Sequence, residues 1–285
     1  MTDALKTIDL IKNEGISDRD VSLDRSSYGI HIEQLNGSYA VVEPYNVDGS
    51  CGGRILIFPQ SPKTGYPIEL QAFDRVGRLY YPRDAKFDYT RKKIWIADTG
   101  NNRVLKVDLN SFQVELNIDE GLIYPYALAV DLNTGGIFIK GYRLYDLNYG
   151  IVHYFKKEGT LLSTFSFDHA SIESSSSSIS SSQTTSESSD NCPPEMPSNR
   201  SIIFDSSRSR VWWVDGVKIY MADIRNQQVQ SYDVRSDNFY AVTTIDVELS
   251  TGNAFVTAQD IHGEWAIMQM FRDNNKFLGS AYVGE

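Results

Sequence analysis

The sequence has few cysteines, no long apolar run and a shortage of basic residues. Cys51 and Cys192 are the two cysteines in 285 residues, too few for the disulfide framework of a small secreted domain, and the sequence leaves open whether they pair. No run approaches the roughly 18 apolar residues of a membrane helix. The first residues lack the basic and apolar segments of a secretory signal. We therefore expect no membrane insertion and no visible export signal.

The charge balance is acidic. The chain has 27 Lys and Arg against 37 Asp and Glu, a formal net charge of −10. General nucleic-acid binders need a surplus of basic side chains to contact phosphates, so nucleic acid is an unlikely partner. A local basic patch is still compatible with this composition, and solubility is the simpler explanation of the charge.

Motifs for common catalytic chemistry are also missing. There is no Gly-x-Ser-x-Gly elbow, and the paired glycines Gly52-Gly53 and Gly135-Gly136 read as turns, not as a phosphate-binding loop before a helix. The four histidines share no zinc-ligand spacing with each other or with a cysteine. The sequence therefore predicts no cofactor, no metal and no catalytic residue.

A repeated strand pattern is present instead. The chain is 41% hydrophobic and contains 17 Tyr, a composition that favours half-buried strands. In each repeat unit the first predicted strand ends at an acidic residue. These residues are Glu33, Asp88, Asp131, Asp205 and Asp246, and the successive spacings are 55, 43, 74 and 41 residues. Periods of about 40 to 50 residues are typical of four-stranded blades. We predict an all-β fold, a β-propeller of about five four-stranded blades.

The clearest hairpin spans residues 94–108. Alternating apolar residues flank a turn that runs from Asp98 to Arg103, and these two side chains are close enough in sequence for a charge-assisted hydrogen bond across the base of the turn. The stretch resembles the signature of the NHL repeat, a β-propeller blade family. The resemblance implies that Asp98, Asn101 and Arg103 are fold-signature residues and not catalytic ones.

The chain divides into one main domain and two atypical segments. Residues 20–285 are expected to form the propeller, and residues 1–19 an N-terminal extension or closing strand, with 5–12 as either a strand or a short helix. Residues 171–190 contain 12 Ser in 20 positions and cannot bury enough apolar surface to order themselves. We predict a disordered low-complexity insertion over 170–197.

Candidate ligand-binding residues come from the repeat register. The positions five residues before each acidic marker should gather near one mouth of the propeller channel, and those able to contact an anionic or glycan ligand are Tyr28, Arg83, Tyr126 and Arg200. The fifth marker places Ala241 there. The alternative is that these residues pack between blades or face solvent.

The resemblance implies a non-enzymatic module for protein binding or assembly, with protein partners, self-assembly or a glycan as ligand. The Ser-rich tract resembles inserts in structural proteins of tailed phages and some bacterial surface proteins, so a virion or filament component, or else a cytoplasmic protein, is expected. Two alternatives are an RNA-binding propeller and a metal-dependent lyase or lactonase of propeller fold. However, the positions equivalent to Asp84 form no carboxylate ring, since they are Gly29, Ala127, Ser201 and Val242.

Overall fold

The computed structural model describes residues 30–32, 37–44, 52–58, 68–143, 146–168, 201–248, 250–271 and 276–282. The described residues form five antiparallel four-stranded sheets and one two-stranded sheet. In each four-stranded sheet the strands follow one another in chain order, so every sheet is an up-and-down meander. The fold is therefore all-β and β-propeller-like, as the repeat predicts.

The first two sheets occupy residues 30–118. The first contains β1 (Ile30–Ile32), β2 (Tyr39–Glu43), β3 (Arg54–Phe58) and β4 (Ile68–Leu70). A small hairpin of β5 (Ala72–Phe73) and β6 (Gly77–Arg78) follows it. The second sheet contains β7 (Asp84–Asp88), β8 (Lys93–Asp98), β9 (Arg103–Asp108) and β10 (Val114–Ile118). A short 3-10 helix, Thr99–Asn101, joins β8 to β9.

The other three sheets lie on either side of the Ser-rich tract. The third contains β11 (Ile123–Asp131), β12 (Gly136–Arg143), β13 (Asp146–Phe155) and β14 (Leu161–Asp168). The fourth contains β15 (Ile202–Asp205), β16 (Arg210–Asp215), β17 (Lys218–Asp223) and β18 (Gln228–Asp233). A 3-10 helix, Val234–Asp237, leads to the fifth, which contains β19 (Phe239–Val247), β20 (Ala254–Asp260), β21 (Trp265–Phe271) and β22 (Lys276–Tyr282).

The core lies in layers between consecutive sheets. Because successive side chains of a strand point to opposite faces, one strand supplies two layers. Ile94 and Ile96 of β8 pack towards the first sheet, whereas Trp95 packs towards the third. Likewise Trp213 faces the third sheet and Trp212 the fifth. Trp212 and Trp213 are therefore both core residues, on opposite faces of β16.

Arginines in the hairpins after the first strands connect neighbouring sheets. Arg91 donates to Asp88 within its own sheet and, through Nη1 and Nη2, to the Leu132 and Asn133 carbonyls of the third sheet at 3.1 and 2.8 Å. Its side chain lies over Gly135, where a Cβ would stand 2.7 Å from Arg91 Nε. Glycine is required here by this close approach as well as by a positive φ.

The same contact recurs between the fourth and fifth sheets. Arg208 donates to the buried Asp205 carboxylate at 3.1 Å and to the Ser250 carbonyl of the fifth sheet at 3.1 Å. It lies over Gly252, where a Cβ would come within 2.4 Å of its Nε. We call these two arginines, Arg91 and Arg208, the hairpin clamps.

The first strands are joined in the same two places. Asp84 Oδ2 accepts a hydrogen bond from Leu128 N, which links the second and third sheets at 2.8 Å. Ser201 Oγ accepts from Ile245 N at 2.9 Å and donates to the Ile245 carbonyl at 3.0 Å, which links the fourth and fifth. Each of these two joints therefore has one polar link at the first strand and another at the hairpin.

The register of the fifth sheet differs by two residues from the sequence prediction. Gly252 N donates to the Glu248 carbonyl at 2.6 Å, as Gly135 N donates to the Asp131 carbonyl at 2.6 Å. Glu248, directly after β19, therefore takes the place that Asp131 has in the third sheet and that the sequence prediction assigned to Asp246. The strand contains two register shifts, between Phe239 and Ala241 and between Val242 and Thr244, and each adds one residue that the alternation of the sequence does not reveal. With Glu248 as marker, the residue five positions before it is Thr243 and not Ala241.

We expect Arg91→Ala to lower the free energy of unfolding by about 1 to 3 kcal/mol, because Asp88 stays buried and loses its charged donor. Urea denaturation measures the change. Arg225→Ala is the matched control. Arg225 also binds an aspartate of its own turn, Asp223, but the Arg225 side chain is 63% exposed. The control should change stability by less than about 0.5 kcal/mol. Equal effects of the two changes would contradict a role for the hairpin clamps.

Candidate functional site

The turn after β8 is built around the Asp98 carboxylate. Oδ1 accepts from Tyr80 N at 2.7 Å, and Oδ2 accepts from Asn101 Nδ2 at 2.8 Å and from Arg103 Nε at 2.6 Å. The last of these is the hydrogen bond that the turn sequence predicts. Burial raises the pKa of the Asp98 carboxyl, and its three donors oppose that rise.

The same turn holds segments on both sides of the second sheet. Arg103 Nη1 donates to the Val76 carbonyl in the β5–β6 hairpin at 2.7 Å. On the other side, Thr99 Oγ1 donates to the Pro125 carbonyl of the third sheet at 2.6 Å. The donors and acceptors of this turn are therefore used between parts of the chain, which favours a structural role.

A group of buried polar side chains lies where the second, third and fourth sheets meet. Its members are Arg83, Tyr126, Lys140, Tyr142 and Asp215, which we call the buried polar group. The Arg83 guanidinium donates to the Tyr81 hydroxyl and lies 4.8 Å from the centre of that ring. The Tyr126 and Tyr142 rings are 5.5 Å apart. Side chains of three sheets thus come together in one place.

Lys140 crosses from the third sheet to the fourth. Its Nζ donates to the Val214 carbonyl at 2.5 Å and to Asp215 Oδ1 at 3.2 Å, and it lies 5.1 Å from the centre of the Tyr126 ring. The positions equivalent to Asp84 and Arg91 are Ala127 and Thr134 in the third sheet. Ala127 has no polar side chain, so this joint relies on a different connection from its neighbours.

Burial sets the protonation of this group. It lowers the pKa of the Lys140 ammonium, while the Asp215 charge opposes that fall. Burial and the Asp215 charge together raise the pKa of the Tyr126 hydroxyl well above its ordinary value. Tyr142 shifts in the same direction for the same reasons, although Arg83 partly opposes the shift. At neutral pH both tyrosines therefore remain hydrogen-bond donors.

The Tyr126 hydroxyl is the unusual atom of the group. The residue is 0% exposed, and within the described part of the chain its oxygen has no hydrogen-bond partner. An unpaired buried hydroxyl costs about 1 to 3 kcal/mol. Buried side-chain nitrogens of Trp95, Trp212 and Trp213 also have no partner in the described residues, so the Tyr126 hydroxyl differs from these by its place in the buried polar group.

The predicted ligand-binding residues divide into two pairs. Arg83 and Tyr126 are brought together with Tyr142 between them, but both are buried, with Arg83 only 2% exposed. Tyr28 and Arg200 lie outside the described residues. So do Cys51, Cys192, and the segments 1–19 and 170–197, whose predicted roles stay predictions.

Sequence reasoning missed several residues of these networks. Lys140 is the one charged residue in the run Ile137–Gly141, and a lone charge in an apolar strand could have drawn attention. Asp215 follows a second strand just as Asp98 does, so the repeat register relates them. The two hairpin clamps were visible as arginines three residues after Asp88 and Asp205.

Among the described residues, no three His, Cys, Asp or Glu side chains are grouped so that they could hold a metal ion. In the same residues, no helix combines the length and apolar character needed to cross a membrane.

Comparison with known proteins supports the fold. No protein-family model and no curated protein matches the sequence. A solved chain from the crystal structure of a nidogen/laminin complex is similar in structure, with a TM-score of 0.56 and 10% sequence identity over 90% of this chain and 80% of that chain. This likeness points to a β-propeller protein; at such identity it concerns the fold alone.

We expect Arg103→Ala to lower the free energy of unfolding by about 2 to 4 kcal/mol, because the buried Asp98 loses its charged donor, the Val76 carbonyl loses the donor it has in Arg103, and the Arg78 carbonyl keeps only Asn101. The measurement is thermal or urea denaturation. Arg235→Ala removes an exposed arginine that binds Asp233 at a similar distance, 2.6 Å, and should have little effect. Lost ligand binding with unchanged stability in Arg103→Ala would point instead to a functional site.

We expect Lys140→Met to lower the free energy of unfolding by about 3 to 5 kcal/mol, because it leaves Asp215 charged and buried. Adding Asp215→Asn should restore part of the loss, since the second change removes that charge. Lys93→Met, at an ion pair nearer the surface, serves as control and should cost much less. A fully stable Lys140→Met variant would show that the pair does not hold the joint together.

Proposed function

We propose that the protein is a non-enzymatic β-propeller module that binds protein partners. The finer form of the proposal is a single NHL-like propeller domain over residues 20–285, closed as a ring of five blades. Residues 1–19 are its extension or closing strand, and 170–197 are a low-complexity insertion. In this view the chain works inside a larger assembly, such as a virion or filament.

The observation that carries the proposal is the fold likeness to a chain solved in a nidogen/laminin complex, a protein–protein complex. The internal bonding gives it physical support. Hairpin clamps and first-strand links fix the second sheet against the third and the fourth against the fifth, and Lys140 joins the third to the fourth. A scaffold held in this way loses little conformational entropy on binding, which favours affinity.

We place recognition at the end of the sheets that contains Arg83 and Tyr126, where the repeat register also predicts Tyr28 and Arg200. The unpaired Tyr126 hydroxyl supports this choice, because a partner oxygen that accepted its hydrogen bond would remove the cost of leaving it unpaired. Since Arg83 and Tyr126 are buried, the partner must displace side chains that cover them. Arginine and protonated tyrosine are suited to a carboxylate of a partner protein or to a glycan.

Tyr126→Phe tests this placement. The change removes only an oxygen without a partner, so we expect unchanged or slightly higher stability together with weaker binding of acidic peptides and glycans selected on arrays with the wild-type protein. Isothermal titration measures the binding and thermal denaturation the stability.

Tyr154→Phe is the matched control, because its hydroxyl donates to the Asp131 carboxylate at 2.9 Å inside the same sheet. This variant should lose stability and keep its affinity. If Tyr126→Phe binds every selected ligand as tightly as wild type does, Tyr126 takes no part in recognition. If the wild-type protein instead turns over a lactone or peptidyl substrate with a bound metal, the module is an enzyme.

A further inference from the structure

We propose that the outer strand of the fifth sheet, β22, pairs in antiparallel orientation with β22 of a second copy of the chain. This inference rests on the proposed binding function and names one partner for it. It uses a surface distinct from the buried polar group. Its residues are exposed and carry almost no charge.

Exposed apolar side chains are concentrated in the fifth sheet. Of the ten large hydrophobic side chains exposed in the described residues, six lie between residues 239 and 282. Those of the last two strands are Trp265 at 44%, Ile267 at 40%, Leu278 at 49% and Tyr282 at 43% exposure. Trp265 and Ile267 alternate with the buried Ala266 and Met268, so they lie on the face that points away from the fourth sheet. Leu278 and Tyr282 belong to the outer strand itself, and these two mark its edge as an interaction surface.

The edge of β22 can accept another strand. Within the described chain β22 pairs with β21 on one side only, and its seven residues include no proline. An edge strand presents backbone N–H and C=O groups that can bond an extended strand from another chain. The pairing would extend the fifth sheet and bring the exposed Leu278 and Tyr282 side chains of one copy next to the β22 strand of the other.

Charge identifies a second copy as the occupant. The other outer strands carry an acid, at Glu69 in β4, Glu115 in β10, Asp168 in β14 and Asp233 in β18. β22 carries none, and Phe277 to Tyr282 are all uncharged. In a chain with net charge −10, like-charge repulsion disfavours self-contact at an acidic edge. Among the outer strands of the described four-stranded sheets, β22 is the one without an acidic residue and so without this repulsion.

The position of Lys276 fixes the orientation. It is the one charged residue of β22 and stands at the start of the strand. Parallel pairing would bring Lys276 next to Lys276 of the partner subunit. Antiparallel pairing separates the two by about 20 Å, since a strand rises about 3.4 Å per residue. The antiparallel arrangement also makes the contact symmetric, so it closes at two copies.

The test is the oligomeric state of the full chain and its charge variants, measured by sedimentation equilibrium. We expect the wild type to dimerise. In the antiparallel pair Ser280 of each copy lies near the centre, so Ser280→Glu places like charges close together and should raise the dissociation constant about tenfold or more. Ser280→Lys alone should do the same. An equimolar mixture of the two variants should restore the dimer.

Gln228→Glu, on the exposed outer strand of the fourth sheet, is the control and should leave the dimer unchanged. Thermal denaturation confirms that each variant folds. A wild type that stays monomeric at millimolar concentration overturns the inference, as does a dimer that tolerates Ser280→Glu. If the monomer instead binds a different protein through β22, that protein is the occupant. None of these results alters the Tyr126→Phe outcome, so the proposed function is judged separately.

Discussion

Each inner sheet of this protein must bury both of its faces, and this constraint shapes the rest of the structure. A strand such as β8 or β16 has almost no hydrophilic side, so it is stable only between two neighbours. Stacking sheets one after another satisfies the requirement, because every layer of core is shared. The polar links between sheets then serve to fix the angle and register of surfaces that apolar packing alone would hold less specifically.

Local features of this fold are readable from the sequence, whereas contacts between sheets are not. The β8–β9 hairpin and the Asp98–Arg103 hydrogen bond follow from alternation and turn chemistry within about fifteen residues. Lys140 and Asp215 are 75 residues apart, and no local pattern relates them. The Glu248 register was missed because a bulge changes the count without changing the alternation that flanks it.

The candidate site illustrates the same limit. The repeat register predicts Arg83 and Tyr126 at one end of neighbouring sheets, since equivalent positions of stacked units lie side by side. It could not indicate that both side chains are covered, because burial there depends on Tyr142 and on the turn of the next sheet. Composition reveals the net negative charge of the chain. The structure shows that β22 is the outer strand of a described four-stranded sheet that lacks an acidic residue.

The joint between the third and fourth sheets differs in how it must form during folding. Arg91 meets carbonyls 41 and 42 residues away, whereas Lys140 must find Asp215 across 75 residues. The longer loop adds only about 0.5 kcal/mol of closure entropy, but non-local contacts of this kind are formed late because both partners must already be ordered. The fourth and fifth sheets can therefore associate with each other first and dock as a pair, with the burial of Lys140 completing the assembly of the chain.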